Sequence, residues 1–319
     1  MDWVFEKQTT FEEKALKAFQ LQAKNCQPYT KYLKLLNTDV SAIKSITEIP
    51  FLPIEFFKSH QIISNKNTVQ KIFTSSGTTG QDLSQHCITD INVYIESFRR
   101  GFNHFYGNIK DYRILALLPS YLERDGSSLV FMCKHLIEES KHTDSGFYLN
   151  NIDELASILQ KKDEKKTLLI GVSYALFDLA EQYPTKLENT IVMETGGMKG
   201  KRKEMVKSEL HDVLKKAFHL ENIHSEYGMT ELLSQAYSKK NGVFETPYWM
   251  KVFVRDAQDP LTLLGHQQTG GINVIDLANI NSCSFIATQD LGKTIDEFSF
   301  ELKGRLELSD IRGCNLLVE

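Results

Sequence analysis

The sequence predicts an α/β fold, with mixed, mostly parallel sheets flanked by helices and a smaller β-rich region after them. Three observations carry that expectation. From about residue 68 to 236, short apolar runs alternate with longer stretches of helical period, the order expected of βαβ crossovers. After about Ala236 the helical period stops, and short β-like runs alternate with Gly, Pro and Asp turns. The composition, 41% hydrophobic and 24% charged over 319 residues, is that of a globular chain able to bury a large core.

The elements follow in order. Thr10 and Glu13 stand at capping-box spacing before Phe11, Ala15, Leu16 and Phe19, so a first helix starts there. A second covers 29–36. In 46–60, ITEIPFLPIEFFKSH, two prolines exclude a long helix and predict an extended segment with a short helix after Pro53. Expected strands are 69–74, 113–118, 146–149, 167–172, 190–194 and 222–226. Expected helices are 90–106, 127–139, 152–160, 174–182 and 202–218. Ligands in such sheets bind beyond the carboxyl ends of the strands, where a loop at 74–80 would lie. The later β-like runs are 250–254, 271–275, 284–288 and 298–302. This organisation divides the chain into an α/β region (1–236), a β-rich subdomain (237–303) and a tail (304–319).

Net charge is −4 with no long basic block, which argues against a nucleic-acid partner. The N-terminus lacks a signal-peptide pattern, and the longest apolar stretch, 168–179, is interrupted by Asp178 and too short to span a membrane. Five scattered cysteines without metal-type pairs fit a reducing cytoplasm and a cytoplasmic protein.

Four stretches carry chemistry. In KIFTSSGTTG, a short apolar strand runs into Thr74, Ser75, Ser76, Gly77, Thr78, Thr79 and Gly80. Hydroxyls and unobstructed amides there make a nest of donors suited to a polyphosphate, or a plain turn. No Gly-Lys-Ser/Thr follows, so it is not a Walker loop. Glu194-Thr195-Gly196-Gly197 follows a strand; bare backbone of this kind can wall a slot for a planar base, or simply turn the chain. In HSEYGMTE, Tyr227 beside Gly228 can stack on a base, Thr230 can reach a phosphate, and Glu231 can face phosphate only through a divalent cation such as Mg²⁺. Read alone, Thr230 and Glu231 could instead open a helix. Lastly, Asp290 in QDLG can accept from both hydroxyls of a ribose, with Arg305 downstream; a hairpin turn is the alternative.

Taken together and in this order, TSSGTTG, the glycine pair, YGMTE and QDLG with Gly304-Arg305 resemble the adenylate-forming superfamily of acyl-CoA synthetases, luciferases and peptide-synthetase adenylation domains. The resemblance implies the fold of that family's N-terminal domain, with ATP and Mg²⁺ as cofactors. It places residues 74–80 on the phosphates, Gly196, Gly197 and Tyr227 around adenine, Thr230 at the α-phosphate, Glu231 on Mg²⁺, and Asp290 and Arg305 on the ribose. IPFLPIEFFKSH, LPSYLERDGSSL, ETGGMKGKRKE and DIRGCNLLVE further resemble the LuxE-type acyl-protein synthetases of bacterial fatty-acid reductases. That likeness implies a carboxylic-acid substrate, with Tyr121 and the turn at Gly126 lining the acyl or nucleotide pocket. It also implies acyl transfer to a cysteine matching Cys314, and a reductase partner.

Two departures stand out. The chain stops soon after Gly304-Arg305, so the mobile C-terminal domain and its catalytic lysine are expected to be absent, leaving Lys199, Lys201, Arg202 and Lys293 as candidate cations. Ser225 stands where the superfamily usually has Asn or Asp. Cys314 follows Arg312, whose charge would lower the thiol pKa. The nine residues from Arg305 to Cys314 reach at most about 30 Å. Two alternatives stay open: a CoA or carrier-protein thiol as acceptor, and a non-catalytic adenylate-binding subunit.

Overall fold

The computed structural model describes residues 2–75, 83–118, 126–148, 151–196 and 205–306. The first helix, Phe11–Asn25, begins at Thr10, whose side chain accepts from the Glu13 amide while Glu13 reaches back to the Thr10 amide. This reciprocal cap satisfies donors that a helix start would otherwise leave orphaned. The helix buries Ala15, Ala18 and Phe19. Its Gln22, fully buried, spends its amide on the carbonyls of Asn279 and Ile280, at 3.0 and 3.1 Å, and so ties the N-terminus to the far end of the chain. Helix Gln27–Leu35 follows with Pro in its first turn, where no amide is needed. As the two prolines dictate, Leu52–Pro53 is extended, pairing parallel with Ile286–Ala287, and only the short helix Phe56–Ser59 comes after it.

Thirteen strands among the described residues form one mixed sheet. Its parallel half runs, from one edge, Gly146–Phe147, Tyr112–Leu117, Lys166–Val172, Thr190–Thr195 and His224–Tyr227. Helices Ser128–Ser140, Ile152–Gln160, Ser173–Gln182 and Lys207–Phe218 lie between these strands in sequence. Every residue of Tyr112–Leu117 is buried, as a strand covered on both faces requires.

Beyond His224–Tyr227 the direction alternates. Ala236–Ser238 pairs antiparallel with it, and Val243–Glu245, Ser299–Arg305, Phe285–Thr294, Gly270–Asp276, Met250–Arg255 and Leu263–Leu264 continue to the other edge. The short return from Tyr227 to Ala236 forces the antiparallel pairing, because a parallel neighbour needs a long crossover. The β-rich segments therefore extend the same sheet.

One expectation is corrected and one alternative is set aside. Lys71–Thr74 does not join the large sheet but pairs antiparallel with Gln85–Ile88 in a separate two-stranded ribbon. The connection between them is too short for a crossover. Phe285–Thr294 is a ten-residue strand, so Gln289-Asp290-Leu291-Gly292 lies within it and is no hairpin turn. A register shift between Leu291 and Gly292 bends the strand there. Gly292 is obligatory, since a Cβ would sit 2.3 Å from the Glu301 carbonyl oxygen.

Candidate active site

Strand ends and one strand middle bring together Gly196, Tyr227, Asp290 and Arg305, with Thr230 and Glu231 on the turn that follows. Thr190–Thr195 delivers Gly196, whose φ of +72° is the left-handed conformation that favours glycine. The Ser173 hydroxyl donates to its carbonyl at 3.1 Å. The neighbouring strand ends at Tyr227, and the chain then turns through Gly228 and Thr230 to Glu231. No helix opens at Thr230–Glu231; the Leu232 amide closes a turn on the Met229 carbonyl at 3.2 Å.

Across the sheet, the Tyr227 hydroxyl donates to Asp290 Oδ2 at 2.8 Å. Asp290 is in register with Arg305, whose Nε lies 3.7 Å from Oδ1. Arg305 is 81% exposed at its side chain, so water screens most of that attraction. The Tyr227 ring is buried edge-on against Phe300 and Phe244, at 5.4 and 6.0 Å between centroids. Burial raises the Asp290 carboxyl above its ordinary range, against the opposing Tyr227 bond and Arg305 charge. Glu231, 6% exposed, is raised by burial too; the Ser84 hydroxyl opposes this, the Asp290 charge adds to it, and Arg305 offsets part.

Those features test the site for a metal nucleotide. A buried carboxylate held above its ordinary range gains from an incoming cation. Mg²⁺ is commonly bound through one or two carboxylates together with substrate phosphates, and Glu231 is such a donor. Asp290 keeps Oδ1 for further donors, as a vicinal diol would need. The donor set fits both groups.

The phosphate-loop prediction is only partly within the described residues. At the loop's start the Thr74 amide donates to the Gly126 carbonyl at 2.8 Å. At its two ends the Ser75 amide donates to the Ser84 carbonyl at 3.1 Å and the Ser84 amide to Ser75 Oγ at 3.0 Å. Gly126 has φ +110°, and a Cβ there would collide with Thr74 Oγ1. Ser76, Gly77, Thr78, Thr79, Gly80, Gly197 and Cys314 lie outside the described residues, as do Tyr121, Lys199, Lys201 and Arg202. Lys293, within them, is spent on Glu301 at 3.7 Å and Gln267 at 3.2 Å.

Beneath Gly196 and Tyr227 lies a pair of buried carboxylates that sequence reasoning passed over. Glu194 would be raised by burial, yet His211, Lys207 (2.6 Å) and Ser225 hold it at about 2. Glu226, on the next strand, is raised to about 7 by burial, although the Thr195 hydroxyl donates to it at 2.5 Å; the charge of Glu194 adds to the rise. A Cβ on Gly228 would fall 2.4 Å from Glu226 Oε1, so this glycine makes room for the acid. His86 was also missed. It contacts Thr230 and Ser282, which are distant in the chain, so no local pattern marks it.

At the opposite ends of the parallel strands, His142, Asp144 and Asp163 cluster. His142 Nδ1 accepts the Asp144 amide at 3.1 Å, so Nε2 carries the proton and donates to Asp163 at 3.0 Å. That tautomer is the wrong one for a metal on Nε2.

Comparison with known proteins bears on the fold. Residues 1–109 match the acyl-protein synthetase family LuxE. Over 66 residues the chain is 39% identical to a long-chain-fatty-acid–luciferin-component ligase of Photorhabdus luminescens, a match covering 20% of this chain and 56% of that one. An open conformation of 2-hydroxyisobutyryl-CoA ligase, in complex with 2-HIB-AMP and CoA, shares the fold at TM-score 0.69 and 10% identity, over 93% of this chain and 69% of that one. ATP-bound MatB from Rhodopseudomonas palustris does so at TM-score 0.59 and 15% identity, over 76% and 49%. The chain thus spans about half the length of the curated relative and of MatB. The chain shares the fold of these ligases, and the family match spans residues 1–109, which contain IPFLPIEFFKSH alone of the four LuxE-like stretches.

Proposed function

We propose that this protein is an ATP-dependent, AMP-forming acid–thiol ligase of the acyl-protein synthetase kind. Its substrate is a carboxylic acid, in keeping with the fatty acid named for its luminescence relative. A carboxylate oxygen attacks the α-phosphorus of ATP, the bond to the leaving β-phosphate oxygen breaks, and acyl-AMP and pyrophosphate result. The Cys314 thiolate then attacks the acyl carbon, AMP leaves, and a reductase partner receives the acyl group from the thioester. The residues that follow the strand end at Arg305 act as the tether for that handover, and the reaction belongs to the cytoplasm.

The observation that carries this reading is the convergence of Glu231, Asp290, Tyr227 and Arg305, from separate stretches of chain, on one hydrogen-bonded and charge-coupled cluster. Residues 74–80 bind the phosphates, with Thr230 at the α-phosphate. Gly196, Gly197, Gly228 and Tyr227 enclose adenine, and Asp290 with Arg305 takes the ribose. Glu231 holds Mg²⁺, which when bound neutralises phosphate charge. Rate enhancement comes from orientation and charge neutralisation. Cys26, Cys87, Cys133 and Cys283 are buried, and burial pushes their thiols up, Cys26 to about 11, which leaves them poor nucleophiles.

Carboxylate-dependent ATP–pyrophosphate exchange tests the first half; its absence refutes catalysis and favours a pure adenylate binder. Intact mass after incubation with ATP, Mg²⁺ and a panel of carboxylic acids tests the second. Cys314→Ser should abolish the acyl mass increment while exchange continues. An increment that survives the substitution, or acyl-CoA accumulating in its place when CoA is supplied, rules out Cys314 as acceptor.

A further inference from the structure

His86 has no part in the roles above, yet it is a fully buried titratable side chain beside them, held at both ring nitrogens. It projects from strand Gln85–Ile88 and is 0% exposed. Its Nδ1 lies 2.9 Å from the Thr230 carbonyl oxygen and its Nε2 3.0 Å from Ser282 Oγ. A carbonyl only accepts, so Nδ1 carries the hydrogen and donates, and Nε2 accepts from the Ser282 hydroxyl. Ser282 Oγ in turn accepts the Cys283 amide at 2.6 Å, which leaves its own hydrogen free for His86. The Phe57 ring packs against the imidazole at 84°. Burial lowers the imidazole to about 4, so the neutral tautomer persists at physiological pH.

The turn it grips has no strand ladder of its own. Among the described residues, two side chains bond its carbonyls and a third faces its carboxylate. His86 takes the Thr230 carbonyl, Asn279 donates to the Glu231 carbonyl at 2.8 Å, and the Ser84 hydroxyl meets the Glu231 carboxylate. Ser84 and His86 are two residues apart on an extended segment and so share a face. The ribbon strand is thereby tied to the turn carrying Thr230 and Glu231 through His86, with Ser84 just before the strand facing the Glu231 carboxylate.

We infer that His86 is a positioning residue for nucleotide binding, setting the Thr230–Glu231 turn against strand Gln85–Ile88 by its Nδ1–H bond. This rests on the ATP chemistry proposed above.

The test compares His86→Ala, His86→Asn and His86→Gln in the full chain. Asn can place an amide donor near the Nδ1 position, whereas Gln extends towards that of Nε2. His86→Ala should weaken calorimetric Mg-ATP binding and raise KM for ATP by about fivefold to tenfold, the worth of one buried hydrogen bond. KM for the carboxylic acid should stay constant. His86→Asn should recover most of the loss and His86→Gln little of it. Hydrogen exchange at the amides of 229–233 should quicken in His86→Ala with or without nucleotide.

Mg-ATP affinity within twofold of wild type in His86→Ala would overturn the inference. So would equal defects in the Asn and Gln variants, or a fall in Tm with every kinetic constant shifted together. If the Ala variant fails to fold, the Asn–Gln difference decides; if none of the three folds, His86 is a core brace and the inference is wrong. Wild-type protein that neither binds Mg-ATP nor exchanges pyrophosphate sinks the ATP reading, and unchanged exchange at 229–233 in His86→Ala sinks the positioning role, so the two failures are separable.

Discussion

Asp290→Asn should move stability and nucleotide affinity in opposite directions. In the free protein the Asp290 carboxyl is raised by burial. A carboxyl raised on folding is protonated more readily in the fold than in the open chain. Its ionised form therefore destabilises the fold, with the full effect present above the folded pKa and relieved as pH falls through it. Asparagine removes that burden. Its carbonyl oxygen can still accept the Tyr227 hydroxyl, 2.8 Å away in the parent, and the loss of Arg305 costs little because that guanidinium is 81% exposed. Stability at pH 7 should hold or rise. Nucleotide binding should fall, because in the proposed role of Asp290 a ribose diol loses a charged acceptor. Charge-assisted bonds contribute roughly 1.5–3 kcal/mol each and neutral ones about 0.5–1.5, so two bonds lose on the order of 2–3 kcal/mol, or about 30- to 150-fold in affinity. Urea melts at pH 7 and calorimetric titration with Mg-ATP measure both. A variant less stable than the parent, or an affinity within threefold of it, would refute the reasoning.

Two more predictions follow from buried groups. Glu226, raised by burial from 4.5 to about 7, should make the protein lose stability as pH rises from about 4.5 to 7, by up to roughly 3 kcal/mol, and Glu226→Gln should flatten that slope in urea midpoints taken from pH 5 to 8; parallel slopes for both proteins would contradict it. Gly292→Ala places a methyl 2.3 Å from the Glu301 carbonyl and should cost about 2 kcal/mol or more in thermal unfolding, whereas an unchanged Tm would mean the register shift at Leu291–Gly292 absorbs it freely.

Much of the fold was legible because its signals are local. The Thr10–Glu13 cap lies within one helical turn, and helix 152–160 appears as expected, at Ile152–Gln160. The parallel strands were readable because burial on both faces demands unbroken apolar runs. The strand partners were not. That Lys71–Thr74 would pair with Gln85–Ile88 apart from the main sheet, and that Asp290 would lie mid-strand beside Arg305, depends on pairing rather than on the residues within each run.

The same division runs through the site. Thr230, Glu231, Tyr227, Gly196 and Asp290 could be named from sequence as candidates because each stretch pairs glycine-rich backbone with side-chain chemistry suited to a nucleotide, and that suitability is written locally. Their protonation could not be read there: Glu194 and Glu226 are the same residue type two positions from a glycine, yet one is held at about 2 and the other at about 7. What separates them is that Lys207 and His211 pack beside Glu194, while Glu226 has chiefly the Thr195 hydroxyl. Nor could sequence reveal His86, whose Thr230 partner stands 144 residues away. Residue type supplies a group's chemistry; only the folded packing sets the dielectric and neighbours that decide its charge.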